Sequence, residues 1–190
     1  WAQYGITKDI LKQYNVYSCQ TVFLNDNIFT FSSNISPVYG YYRGIKDGLE
    51  LWRIYMPLRT EFRFISNWKS NMLQGSQQLP QSGKYVVITK SMKDVMTLAT
   101  FNIPAIAPNS EHVFLSQEQY DLLKRRFKTI YILYDTDLTG IRNMNKIRKQ
   151  FKIKCLWIPR KYNAKDISDF YKLYGRDKTL ELINKVKLNE

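Results

Sequence analysis

Asp135 and Asp137 close the β-branched run Thr129–Tyr134, and a helical pattern opens directly behind them at Thr139-Gly140. A strand that feeds a helix usually lies in a parallel sheet, and open parallel sheets take their ligands in the crevice beyond the carboxyl ends of the strands. Carboxylates gathered there are hard oxygen ligands for a divalent ion. On a chain of formal net charge +13, that ion would serve a polyanionic substrate. The plainer reading is an acidic turn before a helix N-terminus, which favours Asp through capping and the macrodipole.

Further chemistry-bearing residues fall at other strand ends. Lys90-Ser91 follow the strand pattern Tyr85–Thr89 and precede a helix carrying Asp94. Ala105–Ala107 leads to Pro108-Asn109-Ser110-Glu111, and Lys165-Asp166-Ile167-Ser168-Asp169 opens the last helix. Each acid alone has an ordinary role, as a first-turn residue, a solvent-facing group or a cap. Their convergence on one sheet edge is what points to a site.

The elements that position these residues fall into two grammars. Ile6–Tyr14 reads as a short helix with Thr7 as its cap. Alternating, aromatic-rich segments follow at 18–24, 28–31, 38–43, 49–55 and 61–65, with turns at Asn25-Asp26-Asn27, Ser33-Asn34 and Lys46-Asp47-Gly48. They read as antiparallel strands. Residues 73–83 are polar and contain Gly and Pro, the composition of a linker. Beyond them, strand 85–89, helix 92–101, strand 105–107, helix 117–126, strand 129–134, helix 139–151 and strand 155–158 alternate, which predicts a parallel sheet with helical crossovers. The expected class is α+β: a small, mostly antiparallel β lobe at 1–83 and an α/β lobe at 84–190.

Composition narrows the function. At 44% hydrophobic and 24% charged residues the chain is a folded domain and not a disordered tail. Its longest apolar runs are too short to cross a bilayer, and the N-terminus lacks a basic and then apolar leader, so the expected location is cytoplasmic. Cys19, Cys155 and the single His112 offer neither a disulfide framework nor a zinc set, which leaves oxygen ligands for any metal. Charge is concentrated: residues 1–83 carry a net +3, and residues 84–190 a net +10. Between Lys124 and Lys161 twelve bases surround only two acids, Asp135 and Asp137. That is the electrostatic footprint of a phosphate-backbone partner, although a basic helix face is often plain solvated surface.

The series Val87-Ile88-Thr89-Lys90-Ser91-Met92-Lys93-Asp94, Ala105-Ile106-Ala107, Tyr134-Asp135-Thr136-Asp137-Leu138-Thr139-Gly140 and Lys165-Asp166-Ile167-Ser168-Asp169-Phe170 resembles the Toprim domain of DnaG-type bacterial and phage primases. The preceding Tyr39-Gly40-Tyr41-Tyr42, Ile54-Tyr55-Met56-Pro57 and Phe62–Asn67 look like the β lobe that adjoins it in the primase RNA polymerase domain. The resemblance implies a Rossmann-like α/β Toprim lobe. It also implies synthesis of short RNA primers from NTPs on a single-stranded DNA template with Mg²⁺ or Mn²⁺, and a replicative helicase as a further partner. A phage-encoded copy would act in the host cytoplasm.

Carried over by position, Asp135 and Asp137 would be the principal metal ligands, with Asp166 or Asp169 an outer or additional one. Arg63 would handle template, while Lys90, Lys93, Lys165 and Arg142 would meet nucleotide or nucleic acid. One departure stands out: Lys90-Ser91 occupies the family's Glu-Gly. An ammonium only donates and cannot coordinate a cation. Three arrangements are open: Glu111 supplies the missing carboxylate, Lys90 replaces one metal ion as a phosphate clamp, or chemistry is lost and binding kept. The alternatives to a primase are therefore a noncatalytic Toprim module that binds single-stranded nucleic acid or a replication partner, and a Toprim nuclease.

Overall fold

The computed structural model describes residues 1–109 and 115–188. The chain separates into a unit of residues 11–69 and a unit formed by 1–10 together with 70–190.

The first unit is built on hairpins. Strands β1 (Val16–Ser18), β4 (Tyr39–Lys46), β5 (Leu49–Tyr55) and β6 (Phe64–Ser66) form an antiparallel sheet in the order β1-β4-β5-β6. Strands β2 (Thr21–Leu24) and β3 (Asn27–Phe31) form a separate ribbon. Both tight turns take the form that the flanking right-handed twist demands. Asn25 and Asp26 have φ of 49° and 65°, and Asp47 and Gly48 have φ of 53° and 77°, so each two-residue loop is left-handed throughout. Val22, Val38, Ile54 and Met56 make the small core. The β2–β3 ribbon leaves Phe23, Ile28 and Phe31 exposed.

The second unit is a parallel sheet in the order β10-β9-β7-β8, from β7 (Gly83–Ile88), β8 (Ala105–Ile106), β9 (Phe127–Ile132) and β10 (Lys154–Cys155). Alternation along the strands sorts two faces. Val86, Ile88, Ile130 and Ile132 pack with Leu123 of α3 (Gln117–Arg126) and with Met144, Ile147 and Phe151 of α4 (Leu138–Phe151). Val87, Tyr131 and Leu133 face Leu98 of α2 (Met92–Ala99) and Ile167, Leu182 and Ile183 of α5 (Ile167–Leu188). This is the sandwich expected of strands buried on both sides.

Residues 73–83, expected as a linker, are tied to this sheet. Gln74 N–H donates to Ala107 O at 2.8 Å, and Ala107 N–H returns the bond at 3.0 Å. The N-terminal turn joins the same unit, where the Thr97 hydroxyl donates to Tyr4 O at 3.2 Å. Helix α1 (Lys8–Gln13) is entered through Thr7, whose hydroxyl accepts the Ile10 N–H. Helix α5 breaks at Gly175, where φ is 74° and ψ is −176°. No helix of the described residues is long and apolar enough to cross a membrane.

Candidate active site

Strands β7 and β9 are neighbours, and both run out at the same edge of the sheet, Ile88 opposite Ile132. The residues that leave them are therefore delivered side by side. β7 gives Thr89, Lys90 and Ser91, and β9 gives Leu133, Tyr134 and Asp135. The Thr136 N–H donates to Lys165 O at 2.9 Å, which fastens the start of α5 to the same edge. Carboxylate oxygens of Asp94, Asp135 and Asp166 consequently lie within 4.8 Å of one another. Residues far apart in sequence meet here because the parallel crossovers return each strand end to one edge.

Asp94 sits in the first turn of α2 and is almost wholly buried. Ser91 caps that helix, accepting the Asp94 N–H at 3.2 Å and donating its own hydroxyl to Asp94 Oδ2 at 2.7 Å. Thr89 donates to the same oxygen at 3.2 Å, and the Ser168 hydroxyl oxygen lies 2.7 Å from Oδ1. Burial, reinforced by the charge of Asp166, pushes the Asp94 carboxyl up to about 7. Asp166 moves the other way. Burial works against its charge, but Lys93, the Ser168 hydroxyl and the Asp169 N–H hold it below the usual carboxylate range. Ser168 reaches Asp166 Oδ1 at 2.6 Å and the Asp169 N–H reaches it at 2.7 Å. Asp94 thus holds its proton more tightly than Asp166 does.

Asp135 is raised by burial, against the pull of Lys90. Lys90 Nζ stands 3.3 Å from Asp135 Oδ2, and Lys165 Nζ stands 3.4 Å from the same oxygen and 3.4 Å from Asp137 Oδ2. Lys93 Nζ is 3.6 Å from Asp166 Oδ2. Asp137 does not join the inner three. It caps α4, accepting the Gly140 N–H at 2.7 Å, and this bond draws its carboxyl below the ordinary range.

Of the residues singled out in the sequence, Asp135, Asp166, Lys90, Lys93 and Lys165 are brought together, with Asp137 at the rim. Arg142 is exposed on α4. Arg63 lies in the β unit, where its guanidinium donates to Pro57 O at 2.8 Å. Glu111 lies outside the described residues. Asp94 enters the cluster instead. Its signal was present in the sequence as a first-turn acid behind a strand, but a capping role accounts equally well for that position.

The trailing Gly140 has a purely steric reason. A Cβ built on it would stand 2.2 Å from the carbonyl oxygen of Asp135, so only glycine lets α4 start beneath the acidic strand end.

These carboxylates fit a hard divalent ion. Opposed oxygens about Mg²⁺ lie roughly 4 Å apart, close to the spread of the three acids. Asp135 and Asp166 are the charged pair that would hold it.

The comparisons agree with this geometry. The Toprim-like family matches residues 87–171. A DNA primase domain from Pseudomonas aeruginosa superposes with a TM-score of 0.71 at 13% identity, over 98% of this chain and 70% of that one. A DnaG primase catalytic domain bound to ssDNA gives 0.69 at 12% identity, over 97% and 71%. The primase fragment of the bacteriophage T7 primase-helicase gives 0.65 at 15% identity, over 96% and 72%. No curated protein matches the sequence. The Toprim-like match is centred on the acidic edge, and along nearly its whole length the chain has the fold of DnaG-type primase catalytic cores.

Proposed function

We propose that this chain is a primase-type nucleotidyltransferase, which joins ribonucleotides into short primers on single-stranded DNA. The observation that carries the reading is the meeting of Asp94, Asp135 and Asp166 at the strand ends, ringed by three lysines. In the transfer, a 3′-hydroxyl attacks the α-phosphate of an incoming nucleotide and pyrophosphate leaves. Charge gathers on the phosphoryl oxygens, so fixed cations at that point lower the barrier. A bound Mg²⁺ or Mn²⁺ supplies Lewis-acid stabilisation there. Asp135 and Asp166 would hold the ion, and Asp94 braces both α2 and Ser168.

Lys90 takes the place of a family carboxylate, and with it the work of one ion. Together with Lys165 it presents two ammonium groups to Asp135, a cationic pair for the phosphates of an incoming nucleotide. The site is therefore a single-ion site completed by lysines. Lys93 beside Asp166 and Arg63 in the β unit complete the proposed set for nucleotide and template, and Asp137 positions α4.

Primer synthesis tests the reading. The chain, a single-stranded template and NTPs with Mn²⁺ should yield short RNA, and Asp135→Asn should abolish it. Degradation of the template would instead identify a nuclease. A second reading has its own support: Lys90 and Lys165 already neutralise Asp135, as a noncatalytic binding module would. Single-strand binding that needs no metal and is indifferent to Asp135→Asn, with no primer made, would favour it.

A further inference from the structure

A second concave surface lies in the Toprim unit, away from the acidic edge. It is a groove of about 1170 Å³ between the C-terminal half of α4, the edge strand β10 and the second half of α5. None of Lys90, Lys93, Asp94, Asp135, Asp137, Lys165 or Asp166 lines it. Seven of its lining residues are Lys or Arg, and one, Glu181, is acidic. Glu181 is ion-paired to Lys178 at 2.9 Å and to Lys185. Arg148 and Lys149 near the end of α4 have an ordinary role against the negative helix terminus. That role does not explain Lys161, which comes from a different segment and faces the same hollow.

We propose that this groove binds single-stranded nucleic acid by its phosphates, with Trp157 as a platform for an unpaired base. Size argues first: pockets for small ligands run to about 1,000 Å³, and an open groove beyond that suits an extended chain better than a lone nucleotide. Charge argues second. Arg148, Lys149, Lys152 and Lys161 give a polyanion repeated contacts and release its counterions. Aromatic lining decides between strands. Trp157 is 42% exposed on the groove wall, and Tyr162 beside it is braced edge-on by Phe170 at 5.1 Å. Exposed rings stack on unpaired bases, whereas a duplex keeps its bases stacked inside. The groove gives the strand a second hold, independent of the transfer site.

The test follows tryptophan fluorescence of the whole chain during titration with an oligothymidylate of roughly 12 nucleotides, a length one strand-binding surface spans. The strand should quench emission, and Trp157→Phe should remove most of the change while the other three tryptophans remain. Trp157→Ala should weaken binding by roughly tenfold. Lys149→Glu, Lys152→Glu and Lys161→Glu combined should lower the slope of log K against log salt by about 2. The corresponding Gln variants should fall between, with melting temperatures near that of the parent. Asp135→Asn removes primer synthesis but should leave the quench that depends on Trp157 in place, so failure of the transfer site and failure of the groove are separate outcomes. Quenching that survives Trp157→Phe, an unaltered salt slope, or equal binding of a duplex or of oligoglutamate would overturn the proposal.

Discussion

Lys90 sets the chemistry of the acidic edge at the residue scale. Replacing it by Glu restores a carboxylate beside Asp135, so electron paramagnetic resonance should count one Mn²⁺ on the parent and two on Lys90→Glu. Without metal the variant crowds like charges near Asp135, and its melting temperature should fall; added Mn²⁺ should recover it. A parent that already binds two ions would sink the single-ion account. Asp94 carries a pH signature. Its folded value of about 7 lies above its unfolded value of 3.8. Below the unfolded value the group is protonated in both states and costs nothing. Between about 4 and 7 the unfolded chain loses a proton that the folded chain keeps, so this contribution erodes stability as pH rises and levels off above the folded value. Asp94→Asn removes that erosion. Urea titrations at pH 5 and pH 8 should show the parent losing, relative to the variant, on the order of a few kcal/mol across the interval.

At the scale of elements, glycines at two junctions decide whether the frame closes. Gly140→Ala presses a methyl against the Asp135 carbonyl. The helix gains up to about 1 kcal/mol from alanine, but overpacking against backbone costs more, so a net loss of about 2 kcal/mol is expected in denaturant titration. Gly175 lies where only glycine is at ease, and Gly175→Ala should cost about 1–3 kcal/mol. Much of this frame was legible in the sequence. The apolar runs of β7 and β9, the Thr7 cap and the Asp-Gly turn at 47–48 announced themselves through local chemistry, which acts over a few residues. Asp135 was legible for the same reason, as an acid ending a strand. The partnership of Asp94 with Asp166 was not, because it depends on the crossover that brings the start of α5 back to β7. Nor does composition disclose that Gln74, in a polar Gly- and Pro-containing stretch, adds its backbone to the sheet edge at Ala107.

For the whole molecule, the charge of +13 has a direct reading in solution. Affinity for oligonucleotides should drop steeply between low and physiological salt, because each phosphate contact releases a counterion. The steepness is shared between the acidic edge with its lysines and the groove beside β10. The β2–β3 ribbon meets the same salt with the opposite sign. It holds Phe31 at 69% and Ile28 at 66% exposure on a short two-stranded ribbon. Mutual repulsion between copies keeps those side chains apart while the Debye length is long, at about 10 Å in 0.1 M salt; at 1 M it contracts to about 3 Å. Concentrated brine should therefore make the protein cluster, visible as rising light scatter, and Phe31→Lys should keep it dispersed.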